Sequence, residues 1–119
     1  MNAISFIPKV CKGDDATFAG QLTIVPPTFD QKYEYLENCG LQLKEDGTVD
    51  LSQLRMQTFK MIRKMVAASK EHYASVDLLH KATGKKFTSF DEISTCADCE
   101  PILIEVATAL MTGFKLGNG

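Results

Sequence analysis

The sequence predicts an α+β domain that is predominantly helical, with about three main helices, an N-terminal β-hairpin and a second small β segment. Three observations carry this. Apolar residues alternate at Ile4, Phe6 and Val10, at Phe18, Leu22 and Ile24, and again between His72 and His80. Helical spacing takes over around 28–39, 50–69 and 98–112. Capping residues and glycines stand at the joints between these stretches. With 119 residues and 45% hydrophobic content, the chain suits one domain with a real core. It divides into a β-rich segment (1–27), a helical segment (28–70), a β segment (71–89), C-terminal helices (90–113) and a flexible tail (114–119).

The first two strands join through the turn residues Lys12-Gly13-Asp14-Asp15, and Pro8, lacking an amide donor, favours an edge position. Pro26-Pro27 ends the second strand. Thr28 or Asp30 then caps a helix to about Cys39, with Phe29, Tyr33 and Leu36 as its apolar side and Gly40 past its end. Asp46-Gly47 marks a turn. Read as half of a calcium loop, it would place Gln42, Lys44 and Gln53 at ligand positions that need carboxylates, which rejects calcium.

Asp50 opens the longest helix, to about Ser69, with Leu51, Leu54, Phe59, Ile62, Met65 and Val66 on its apolar side. Arg55, Lys60, Arg63 and Lys64 occupy much of the remainder. Residues 51–70 carry five basic side chains and no acid, between acidic segments on both sides. This face is either a docking surface for an acidic partner or a solvated face balancing the chain's own acids.

Val76, Leu78 and His80 favour a strand, Ala82 to Lys86 a turn, and Phe87-Thr88-Ser89 a short return. Ser89 and Glu92 have capping-box spacing over a short helix, Phe90 to Thr95. Asp98 is placed to cap the final helix, with Pro101 in its first turn and Gly113 as terminator. On that helix only Glu105, Thr108 and Thr112 are polar, in one narrow stripe. Ile102, Ile104, Val106, Leu110 and Met111 are therefore candidates for the core or for a self-association surface.

Cys96-Ala97-Asp98-Cys99 admits three readings: a redox pair, half of a zinc site, or semi-buried thiols at a loop-to-helix junction. A redox pair in the thioredoxin manner would follow a strand, whereas Ser89–Thr95 reads as a helix. A zinc site needs a second ligand pair, but Cys11 and Cys39 lie 28 residues apart and His72 and His80 lack ligand spacing. Thr83-Gly84-Lys85 lacks the flanking residues of a phosphate loop. With no serine elbow and no paired carboxylates, the residues imply no enzyme, no catalytic group, no metal and no cofactor. The net charge of −2 and the lack of an aromatic platform argue against nucleic acid. No apolar run reaches the roughly 20 residues of a membrane span, and the N-terminus lacks a signal-peptide core. The expectation is a cytoplasmic protein with reduced thiols.

The segment from Ser75 to Gly117 resembles the tail assembly chaperones of long-tailed, lambda-like bacteriophages. The resemblance is carried by VDLLHKATGKKFTSFDEI, the helix start CEPILIEVATALMTG and the ending FKLGNG. It covers about a third of the chain and includes no catalytic motif. It implies a non-enzymatic protein that coats the tape measure protein, keeps it soluble and helps recruit tail tube subunits, in some cases through a frameshift-extended form. Such proteins act in the host cytoplasm as oligomers and are absent from the finished virion. On this reading Arg55, Lys60, Arg63 and Lys64 would meet acidic stretches of the client. The alternatives are a thiol- or zinc-dependent regulatory domain and an anion-binding adaptor.

Overall fold

A computed structural model describes residues 3–38 and 63–112. Four strands form one antiparallel sheet in the order β1-β2-β3-β4: β1 (Ile4–Phe6), β2 (Phe18–Ile24), β3 (Tyr73–His80) and β4 (Lys86–Phe87). The helices are α1 (Phe29–Asn38), α2 (described over 63–69), α3 (Phe90–Ser94) and α4 (Glu100–Thr112).

This corrects the expectation of a predominantly helical chain with two separate β units. The N-terminal strands and the 71–89 segment are halves of one sheet, because β2 pairs with β3 from Phe18↔His80 to Ile24↔Tyr73. Period-two patterning marks each strand as half-buried but is silent on its partner. The pairing is long-range, and its hydrogen bonds satisfy the inner edges of both β segments at once.

The sheet is one-sided. Phe6, Phe18, Leu22, Ile24, Val76, Leu78 and Phe87 are buried, whereas Ser5, Gln21, Ser75 and Asp77 of the same strands are exposed. Such polar-out alternation is normal for an antiparallel sheet covered on one face. A register shift between Thr23 and Ile24 pairs Ile24 with Tyr73, adding a residue on the β3 side. Gly20 has φ +120°, and a Cβ there would lie 2.0 Å from the Asp77 carbonyl oxygen. Only glycine lets β2 and β3 approach at this point.

The β1–β2 connection holds a 3-10 turn at Lys9–Cys11, so Val10 is not a strand residue. Pro8 lies just past edge strand β1, clear of the ladder. In α1 the cap is Thr28 rather than Asp30: Thr28 Oγ1 accepts from Gln31 N–H at 3.1 Å, and Gln31 Oε1 accepts from Thr28 N–H at 2.9 Å. The expected apolar side is only partly right. Tyr35 and Leu36 are buried, while Phe29 is 77% and Tyr33 49% exposed. The helix is turned so that the Tyr35 hydroxyl meets His72 and Glu71, which amphipathic counting cannot anticipate.

Ser89 caps α3 as expected, its hydroxyl accepting from Glu92 N–H at 3.2 Å. Before α4 the chain makes a 3-10 turn, Ala97–Cys99, and α4 begins at Glu100. Asp98 therefore does not cap α4; its carboxylate is drawn to His80. The core joins the inner sheet face to Tyr35, Leu36, Met65, Ile93, Cys99 and the inward residues of α4.

Candidate functional site

The basic face is described in part. Arg63 and Lys64 are exposed at the start of the described part of α2, while Met65 behind them is 1% exposed and anchors the helix in the core. Among the described residues neither Arg63 nor Lys64 joins an ion pair, whereas Lys70 lies 3.2 Å from Asp91. Arg55 and Lys60 lie outside the described residues, as do Cys39, the Asp46-Gly47 turn, the Asp50 cap and Gly113.

The self-association surface expected on α4 is largely internal. Ile102, Val106 and Leu110 are 0% exposed and Met111 1%, all within this chain's own core; Ile104 alone of the five is half-buried. They share that core with the inner face of the sheet, Tyr35, Leu36, Met65, Ile93 and Cys99. The polar stripe opposite is also engaged. Glu105 Oε1 accepts from Lys9 N–H at 2.9 Å, tying α4 to the β1–β2 connection.

Both histidines are buried and hydrogen-bonded. His72 Nδ1 lies 2.8 Å from the Val25 carbonyl, which can only accept, so Nδ1 carries a proton. His72 Nε2 lies 2.5 Å from the Tyr35 hydroxyl, which is also 3.0 Å from Glu71 Oε1. Burial, then the hydrogen bond to Glu71, pushes the Tyr35 phenol up, so it stays a donor. The trio clamps α1 to the entrance of β3.

His80 Nε2 lies 3.1 Å from Asp98 Oδ2, and Nδ1 receives Thr83 N–H at 3.3 Å with the Thr83 hydroxyl at 3.1 Å. An amide can only donate, so Nδ1 is the acceptor and Nε2–H points to Asp98. A hydroxyl, an imidazole and a carboxylate in series resemble a nucleophile relay. Here the hydroxyl belongs to the turn that the imidazole caps, and it also accepts from Lys85 N–H at 3.3 Å. The arrangement closes the β3–β4 turn, with Gly84 at φ +73°, and fastens it to the α4 entrance. Sequence spacing gave no sign of the His80–Asp98 pair.

Beside it, Cys96 is half-buried and Cys99 buried, both as free thiols. Burial, then a hydrogen bond from the Cys99 thiol to Cys96, pushes the Cys99 thiol up to about 12. Such a thiol is protonated and a poor nucleophile at neutral pH. Among the described residues no group of three or more His, Cys, Asp or Glu could hold a metal ion. Nor is any described helix long and apolar enough to cross a membrane.

Accessible features among the described residues include the Arg63–Lys64 pair on α2 and the Phe29–Tyr33 side of α1, where the rings stack at 6.3 Å. The second of these is a surface that sequence reasoning assigned to the core. No family model, curated protein or solved structure matches the chain.

Proposed function

We propose that this chain is a tail assembly chaperone of a long-tailed bacteriophage, binding the tape measure protein and keeping it soluble until tube subunits are recruited. The described residues that carry the resemblance run in one connected unit from β3 to β4 through the Thr83-Gly84 turn and on through α3 to α4, in which Cys99 is buried and His80 is hydrogen-bonded to Asp98 and Thr83. The observation that favours a binding role is the exposed Arg63–Lys64 pair, free of ion pairs among the described residues and backed by the buried Met65. Two cations on a core-anchored helix suit acidic stretches of a long helical client. The chaperone acts in the host cytoplasm, self-associates, leaves before the virion is complete, and reaches the tail tube protein directly or through a frameshift-extended form.

Co-expression with a tape measure protein tests this. The soluble fraction of the client should rise with the parent chain and fall back with Arg63→Glu/Lys64→Glu. Unchanged client solubility with the parent chain would remove the reading.

A further inference from the structure

Helix α1 turns an unusual combination of side chains outward. At 3.6 residues per turn, Phe29, Tyr33, Glu37, Asp30 and Glu34 fall in one arc of about 140°, bordered at its Phe29 edge by the buried Leu36 and well away from the buried Tyr35. All five are exposed, Phe29 at 77% and Tyr33 at 49%. The two rings are stacked, 28° apart in plane. None of the three carboxylates joins an ion pair among the described residues, and the helix's one cation, Lys32, lies outside the arc. Aromatic faces flanked by carboxylates make a receptor for cations. A guanidinium or ammonium is attracted to the face of an exposed ring and pairs with the acids beside it.

The complement is present on the same chain. α2 exposes Arg63 and Lys64, which pair with none of these acids within the protomer, and Lys70 is already held by Asp91. With most of the α4 candidates enclosed in the core, self-association requires another surface. We infer that the Phe29–Tyr33–Glu34–Glu37 side of α1 in one protomer docks on the Arg63–Lys64 end of α2 in a second copy. The inference deepens the self-association in the proposed function and rests on it. The contact pairs two different faces, so a second copy engages both at once in a reciprocal two-fold dimer or one at a time in a head-to-tail ring or chain. α1 has ten residues, roughly 15 Å of helix, so each contact is small, weak and sensitive to salt.

Sedimentation velocity over a concentration series, at about 50 mM and about 500 mM salt, tests the contact. The parent chain should grow in mass with concentration at low salt and revert to monomer at high salt. Glu34→Lys/Glu37→Lys and Arg63→Glu/Lys64→Glu should each be monomeric in both, with circular dichroism unchanged. Mixed one to one they should associate again, because the reversed faces now complement each other and the unaltered pair persists. A monomeric parent, a variant that associates as the parent does, or a mixture that stays monomeric would each overturn the inference. Client and second copy compete for Arg63 and Lys64, and Glu34→Lys/Glu37→Lys leaves that pair in place and uncovered, so client solubilisation should survive in it. Association by charge swap without solubilisation by the parent would instead isolate a failure of the chaperone reading.

Discussion

Glu105 and Lys9 are 96 residues apart in sequence, yet the Glu105 carboxylate accepts the Lys9 amide at 2.9 Å and holds the β1–β2 connection against α4. Glu105→Ala should lower stability by about 1 kcal/mol, while Glu105→Gln, which keeps an acceptor, should recover most of it in urea unfolding. The same carboxylate helps burial raise the Cys11 thiol. Cys11 should therefore alkylate faster in Glu105→Ala than in the parent chain, which peptide mass mapping would detect.

The Tyr35–His72 clamp makes a second prediction. Tyr35→Phe leaves the buried Nε2 of His72 without its hydroxyl partner, at a cost of about 1–3 kcal/mol. Tyr33→Phe, on the exposed side of the same helix, should change the unfolding midpoint little.

Gly20 is irreplaceable on steric grounds. An added Cβ meets the Asp77 carbonyl at 2.0 Å in a backbone conformation that L side chains rarely adopt. Gly20→Ala should cost more than about 3 kcal/mol and lower the thermal midpoint by more than about 10 °C. Gly13→Ala, also at positive φ but with open space around it, should cost less.

The capping box at Ser89 carries a pH dependence of known sign. Hydrogen bonds from the Thr88 amide and hydroxyl, with a further one from Ser89, hold the Glu92 carboxyl below its ordinary value of 4.5. Its contribution is therefore complete above that value and is lost as pH falls through the depressed folded value. Glu92→Gln should flatten the acid limb of a stability–pH profile between those two points, with little change at neutral pH beyond the weakened cap. An acid limb identical to the parent's would contradict this role.

Thiol chemistry separates the two cysteines of the Cys96–Cys99 motif. Cys99, buried and raised to about 12, should resist alkylation at pH 8 until the chain is unfolded. Cys96 is half-buried and should react first of the two. Equal rates in the folded state would remove the structural account of this motif and revive the redox one.

Local chemistry made much of this molecule legible from its residues. Ser89 and Glu92 make a cap because a hydroxyl and a free amide lie one helical turn apart, a relation that requires no distant partner. The same holds for the Gly84 turn and for the alternation of Val76, Leu78 and His80. The orientation of α1 was not legible, because Tyr35 competes with Phe29 and Tyr33 for burial and a hydrogen bond to His72, far along the chain, decides the outcome. Asp98 likewise passes over a cap for His80.

The sequence by itself determined where strands, turns and caps form, since these depend on side chains a few residues apart and on the period of burial. Only the tertiary structure decided that the β segments make one sheet, that most of the apolar surface of α4 is spent inside the protomer, and that an aromatic, acidic side of α1 faces outward. Each is a competition between distant groups for the same buried surface or the same hydrogen bond. Such competitions are resolved by packing in three dimensions, which local periodicity does not encode.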